Sequence, residues 1–143
     1  MMKSVITLLS FIFPDFFVKK AYQQLTRPKF YPYRAHEKDI LEDAITADLA
    51  FKKGNIKTYK WLGGLQKILL IHGWEGRVTH FSVLIQHLIK AGYTVYGFDA
   101  PSHGLSDNVE TRRFDFIDLV GEMIEVVQPK IAISHSFGAV ATT

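Results

Sequence analysis

The chain has 143 residues, of which 48% are hydrophobic and 22% are charged, a balance typical of one soluble globular domain with its own core. It contains no cysteine, which excludes a disulfide framework and a thiolate metal site and is consistent with a cytoplasmic protein; we expect no metal and no cofactor. The net charge of +3 is too small to predict nucleic-acid binding, but residues 1–60 carry 11 Lys and Arg against 6 Asp and Glu. An anionic partner would therefore meet the N-terminal part.

The first predicted element is an amphipathic helix. Pro14 and Asp15 interrupt its apolar run after about ten residues, whereas a helix that crosses a bilayer needs about 20. No cleavage site of small residues follows, so a secretory signal is not predicted either. The apolar residues that share one helical face are Val5, Leu8, Leu9, Ile12 and Phe16.

Two interpretations of this helix remain open. In the first, the helix is an arm that packs on the protein's own core. In the second, residues 1–25 lie on a membrane surface, with Lys3, Lys19 and Lys20 near the lipid phosphates. The following stretch RPKFYPYR, residues 27–34, has two prolines and three aromatic residues and predicts an ordered connector. We therefore separate an arm and connector, residues 1–35, from a domain over residues 36–143.

That domain begins with a predicted antiparallel hairpin. Apolar and polar residues alternate over residues 45–51 and again over 56–61, and Lys52 to Asn55 supply the turn. The pattern then changes, because Ile68 to Ile71 is continuously apolar, as in a strand covered on both faces. Helical spacing over 81–88, a strand over 94–98, helical spacing over 114–127 and a strand over 131–133 follow.

This alternation predicts an α/β fold: a parallel sheet with helices on both faces, preceded by the antiparallel hairpin. Ligands of such sheets bind at the carboxyl ends of the strands. Three loops at those ends are rich in small and polar residues: HGWEG at 72–76, DAPSHG at 99–104 and SHSFG at 134–138. In this order they resemble the α/β-hydrolase superfamily, whose members share an H-G-x oxyanion loop, a D-x-x-x-H-G turn and a G-x-S-x-G nucleophile elbow. The resemblance covers residue 45 to the end of the chain.

The resemblance implies a role for each loop. Ser136 would be the nucleophile, held on a strained strand-to-helix turn whose flanks must be small, here Ser134 and Gly138. The family consensus has Gly where this chain has Ser134. The backbone N–H groups of Trp74 and Phe137 would form the oxyanion hole. The Trp74 side chain would either shape the pocket wall or serve only in packing.

The resemblance does not provide an acid or a base within this chain. In the family the Asp or Glu and the His follow the nucleophile, and only seven residues follow Ser136. We expect His103 and Asp99 to brace their loop, His72 to support the oxyanion loop, and His135 to point away from Ser136. The remaining histidines, His36, His80 and His87, are interpreted as ordinary residues of helices or helix starts.

The sequence therefore predicts the N-terminal half of a serine hydrolase, truncated after the nucleophile elbow and inactive by itself. The complete protein would hydrolyse carboxylic esters or related acyl compounds, with a small or lipid-like substrate. The alternative is a non-catalytic α/β-hydrolase-like protein that only binds a ligand or partner.

Overall fold

A computed structural model describes residues 13–26, 28–109 and 113–143. The five apolar positions of the predicted first helix therefore fall outside the described residues, apart from Phe16. The helices are α1 (Pro14–Thr26), α2 (Ala35–Glu42), a short 3-10 helix (Val78–Phe81), α3 (Ser82–Lys90), α4 (Arg113–Val127) and α5 (Phe137–Thr142). The strands are β1 (Ile45–Phe51), β2 (Gly54–Trp61), β3 (Gln66–Ile71), β4 (Tyr93–Phe98) and β5 (Ile131–Ser134).

The five strands form one mixed sheet in the order β1-β2-β4-β3-β5. Strands β1 and β2 form the predicted antiparallel hairpin, in register from Ile45 opposite Lys60 to Phe51 opposite Gly54. Strand β2 joins the hairpin to the rest by pairing antiparallel with β4. Strand β3 lies parallel to both β4 and β5, with Ile68 opposite Ile131. The predicted hairpin and parallel strands are confirmed.

The core lies on both faces of the sheet, because the side chains of β3 alternate between two layers. Leu69 and Ile71 pack with α4, whereas Ile68 and Leu70 pack with α2 and α3. All four are fully buried, which explains why residues 68–71 of β3 are all apolar, whereas the strand begins with the polar residues Gln66 and Lys67. The indole N–H of Trp61 donates to the carbonyl oxygen of Ile40 at 2.8 Å, so that α2 is fixed to the sheet.

The loop after β3 is anchored by a buried ion pair between Glu37 of α2 and Arg77, whose side chains are 2% and 6% exposed. Arg77 Nε lies 3.0 Å from Glu37 Oε1, and Nη2 lies 2.9 Å from Oε2. The Thr79 hydroxyl and the Arg34 N–H also donate to the carboxylate. Burial alone would raise the pKa of Glu37, but these donors together lower it to about 2.

Arg77 also holds the connector, residues 28–34, which forms neither helix nor strand, as predicted. Its Nη1 donates to the carbonyl oxygen of Tyr31 at 2.6 Å, and Nη2 donates to that of Pro32 at 3.0 Å. The guanidinium lies 3.7 Å from the centroid of the Tyr33 ring. Arg77 thus joins the connector, α2 and the loop after β3. The division of the chain into an arm and a domain stays a prediction.

We expect Arg77→Met to lower the free energy of unfolding by about 3–5 kcal/mol, because it leaves the Glu37 carboxylate buried without its cation. Urea denaturation followed by circular dichroism measures the change. Lys52→Met is the matched control, since Lys52 forms an ion pair with Asp115 on the surface and its loss should change stability little. Equal stability of Arg77→Met and the parent chain would contradict a structural role for the ion pair.

Candidate active site

The three predicted loops lie together at the carboxyl edge of the parallel strands, and two of them enclose a cleft of about 290 Å³. This cleft lies between the loop after β3 and the turn after β5, and Ser136 is at its surface. The loop after β4 supports the cleft from behind, because its Ala100 N–H donates to His72 and its His103 accepts from the Glu75 N–H. The cleft is lined by His72, Gly73, Trp74, Glu75, Gly76, His80, Phe81, His135 and Ser136.

Ser136 has a backbone conformation that residues other than glycine rarely adopt. Its φ is 54° and its ψ is −122°. Ser136 lies two residues after the end of β5 and directly before the first residue of α5. Such a conformation costs about 1–3 kcal/mol and persists only where the surroundings impose it. The predicted strained turn from strand to helix is therefore present at this position. The Ser136 side chain is exposed to the cleft.

The surroundings that impose this turn are close backbone contacts. A Cβ atom added to Gly138 would lie 2.5 Å from the carbonyl oxygen of His72 and 2.7 Å from that of Ile71. A Cβ atom added to Gly73 would lie 2.8 Å from the Cβ of Ser136. The two loops therefore meet at a distance that only glycine permits. Ser134 is half-buried at the end of β5, opposite Ile71, so the hydroxymethyl group that departs from the family consensus is accommodated.

Trp74 lines the cleft, and its ring contacts that of Phe137. Trp74 follows Gly73 directly, and Phe137 is the first residue of α5. Their rings meet edge to face with centroids 6.2 Å apart, and the Trp74 ring also contacts that of His103 at 5.0 Å. The Trp74 side chain therefore packs against these rings while Trp74 also lines the cleft, which favours the pocket-wall interpretation over packing alone. The assignment of the two backbone N–H groups to an oxyanion hole stays a prediction.

His72 and His103 brace the loops with both ring nitrogens. The Ala100 N–H donates to His72 Nε2 at 3.0 Å, which leaves His72 Nδ1–H to donate to the Gly73 carbonyl oxygen at 2.7 Å. Likewise the Glu75 N–H donates to His103 Nε2 at 3.1 Å, and Nδ1–H donates to Pro101. Burial lowers the pKa of each histidine to about 4. Both are neutral structural residues, as predicted, and neither has a ring nitrogen left for catalysis.

Asp99 ties the turn after β4 to the neighbouring elements, which confirms its predicted bracing role. Its fully buried carboxylate accepts from the Tyr59 hydroxyl at 2.6 Å and from the N–H groups of Val78 and Leu105, each at 2.9 Å. Burial raises the pKa of Asp99, and these three donors oppose that shift. The carboxylate therefore connects β2, the 3-10 helix and its own turn.

His80 is the cleft residue that sequence reasoning did not single out. It lies in the 3-10 helix, lines the cleft, and has Nε2 3.7 Å from Glu37 Oε1. Burial lowers the pKa of His80, while the charge of Glu37 opposes that shift. No sequence signal marks this pair, because Glu37 precedes His80 by 43 positions. His135 lines the same cleft.

Comparison with protein families matches residues 68–143, more than half of the chain, to the model described as the alpha/beta hydrolase family. Comparison with curated proteins finds no match. Among solved structures, the chain is similar to a thioesterase domain from the curacin biosynthetic pathway, with 24% identity, a TM-score of 0.63, and 68% of this chain and 39% of that chain covered.

Two further structures have the same fold. An epoxide hydrolase from Vigna radiata has 15% identity and a TM-score of 0.60, with 71% of this chain and 34% of that chain covered. An alpha/beta hydrolase fold protein from Burkholderia ambifaria has 17% identity and a TM-score of 0.60, with 66% and 36% covered. The chain thus spans between a third and two fifths of the length of these structures.

The buried histidines generate a prediction about acid stability. Because the pKa of His72 and of His103 falls from 6.5 in the unfolded chain to about 4 in the fold, the unfolded state binds more protons between these values. The free energy of unfolding should therefore fall as the pH drops from 6.5 to 4, by up to about 3 kcal/mol for each histidine. Urea denaturation at several pH values measures this loss.

His103→Gln, which keeps an acceptor for the Glu75 N–H, should remove about half of the pH-dependent loss. His36→Gln, at an exposed position, should leave the loss unchanged. A stability that is flat over this pH range in the parent chain would contradict the assignment of buried neutral histidines.

The backbone of Ser136 generates a second prediction. Ser136→Gly should be more stable than Ser136→Ala by about 1–2 kcal/mol, because glycine adopts a positive φ without strain whereas alanine keeps the Cβ and loses only the hydroxyl. Thermal and urea denaturation of the two variants give the difference. If alanine proves as stable as glycine at this position, the turn is not strained.

Proposed function

We propose, since the chain belongs to the alpha/beta hydrolase family, that it supplies the nucleophile and the oxyanion-binding groups of a serine hydrolase acting on carboxylic esters or related acyl compounds. The observation that carries the proposal is the conformation of Ser136. A serine held at a φ of 54° between a strand and a helix, exposed in a cleft and pressed against Gly73, has the geometry required of a nucleophile elbow.

In the proposed reaction, Ser136 Oγ attacks the carbonyl carbon of the substrate and loses its proton to a general base. The carbonyl oxygen becomes an oxyanion and accepts hydrogen bonds from the N–H groups of Trp74 and Phe137. Collapse of the tetrahedral intermediate releases the alcohol or thiol, which takes up the proton, and leaves an acyl-serine. Water then cleaves the acyl-serine by the same route. Loss of one oxyanion donor typically lowers the rate about 100- to 1000-fold.

The proposal assigns no general base within this chain. His72 and His103 are unsuitable, because the backbone occupies both nitrogens of each ring. In the family the acid and base follow the nucleophile, and residues 137–143 contain neither. If Ser136 reacted without later residues, His80 would be the candidate base in this chain, because it lines the cleft and its Nε2 lies 3.7 Å from Glu37 Oε1.

The substrate class rests on the chemistry of the cleft. Trp74 and Phe81 give it an apolar wall, and it contains no cluster of His, Asp or Glu suited to a metal within the part of the chain that the structure describes. An apolar wall beside a serine favours an acyl group as the bound part of the substrate. The similarity to a thioesterase domain is compatible with esters and thioesters alike.

We expect a fluorophosphonate probe to label Ser136 covalently, with fluoride leaving as Oγ bonds to phosphorus, in protein expressed from the full reading frame. Ser136→Ala should abolish the labelling, because the probe reports an activated serine. Intact-mass and peptide mass spectrometry locate the modified residue. Ser134→Ala, two positions away in β5, is the matched control and should keep the labelling.

Undiminished labelling of Ser136→Ala would show that another residue is the nucleophile. Absence of labelling in the folded parent protein would instead favour the non-catalytic alternative, in which the cleft only binds a ligand.

A further inference from the structure

Helix α1 and Phe13, the residue before it, expose large apolar side chains to solvent. Phe13, Phe16 and Val18 are 57%, 60% and 67% exposed. Among the α1 residues whose side chains the structure describes, 14–20 and 22, none belongs to either core cluster. An arm that packed on the core through these three side chains would bury them, so their exposure favours the second interpretation of the N-terminal helix. Three large apolar side chains exposed within six positions indicate a surface for binding.

The charge around this helix is strongly one-sided. Residues 1–34 carry six Lys and Arg against a single acid, Asp15, whereas residues 35–143 carry 11 against 13. Lys19 and Lys20 lie in α1 itself, interleaved with the apolar residues, and Lys20 lies 5.8 Å from the centroid of the Phe16 ring. Aromatic and apolar residues beside lysines are typical of helices that lie in the plane of an anionic membrane surface.

The arm is attached beside the cleft. The Lys29 N–H donates to Glu75 Oε1 at 3.4 Å, and Glu75 lines the cleft that contains Ser136. Because Lys29 follows Thr26, the last residue of α1, by only three positions, the helix ends within about 11 Å of that contact. Arg77 fixes the same connector through Tyr31 and Pro32. A surface bound by α1 would therefore lie near the cleft mouth.

We propose that α1 binds an anionic lipid surface and holds the cleft at that surface. In this proposal the helix lies in the plane of the interface. No helix in residues 13–26, 28–109 or 113–143 has the length and apolar content to span a bilayer. Its apolar side chains enter the headgroup region, and the excess of lysine and arginine provides the attraction to anionic lipid. The inference does not depend on Ser136 being a nucleophile.

Flotation of the 143-residue chain with vesicles tests the binding. The chain should float with phosphatidylcholine vesicles that contain phosphatidylserine, bind weakly to phosphatidylcholine alone, and dissociate at high salt. Lys19→Gln/Lys20→Gln should weaken the binding about 30-fold, at roughly fivefold for each basic residue near an anionic surface. Lys38→Gln/Lys90→Gln removes the same charge from exposed positions in α2 and α3 and should leave the binding unchanged.

A second, independent variant tests the apolar contribution. Phe13→Ser/Val18→Ser should weaken vesicle binding about tenfold or more, because these side chains leave water on binding. Both positions are exposed, so the fold should be kept, which circular dichroism verifies for each variant. No flotation of the parent chain, equal binding to both vesicle types, or arm variants that bind as the parent does would each overturn the proposal. Vesicle-free dimers that the apolar variant dissociates would show that the surface serves a second copy.

Tryptophan fluorescence can show whether the cleft faces the lipid, because the chain has two tryptophans in different places. Trp74 lines the cleft, whereas Trp61 is 1% exposed in the core. Brominated lipids should quench the fluorescence of the vesicle-bound parent chain, and Trp74→Phe, which leaves only Trp61, should lose most of that quenching. Quenching that is absent in the bound parent chain, or unchanged in Trp74→Phe, would show that the cleft faces away from the lipid.

Discussion

The buried pair of Glu37 and Arg77 is the interaction on which the cleft depends. The Arg77 guanidinium donates two hydrogen bonds to the Glu37 carboxylate and two to backbone carbonyl oxygens of the connector. It also lies over the ring of Tyr33. Arginine suits this position because its planar group presents several donors in fixed directions. Since Arg77 directly follows the segment that lines the cleft, the position of the loop after β3 depends on a charge pair that lies outside the cleft itself.

A second set of contacts holds the turn at Ser136. The strain at that residue is offset by the close approach of the two loops, where Gly73 and Gly138 let the backbone of one loop lie against the other. Behind these loops, His72 and His103 bond to the backbone with every ring nitrogen, and Asp99 accepts three hydrogen bonds. The polar residues of the motifs thus form a rigid, hydrogen-bonded support behind the loops, and Ser136 remains exposed.

Features that depend on residues close together in the sequence could be predicted, whereas contacts between residues far apart in the sequence could not. The hairpin, the buried strand β3 and the strained turn at Ser136 are local patterns, and all are confirmed by the structure. The pair of Glu37 and Arg77 spans 40 positions, and no local pattern relates the two residues. The sequence indicates only an ordinary helix residue at His80, because its place in the cleft depends on a short 3-10 helix and on the distant Glu37 carboxylate. Strand β1 shows the same limit, since its alternation suggests a buried face, yet Ile45 is half exposed at the sheet edge.

Strand β5 carries the turn at Ser136, and its pairing is the most distant in the sheet. Ile131 lies opposite Ile68, so 63 positions of chain must be ordered before these strands meet, and only four residues of β5 take part. Contacts of long sequence separation carry a large loop-closure cost and form slowly, whereas the β1–β2 hairpin closes within a few residues. The hairpin and the β3–β4 pair can therefore form before β5 positions Ser136. Because β5 has the pairing of longest range and only four residues, we expect it to join the sheet last, so that the geometry of the cleft would report whether the sheet has finished folding.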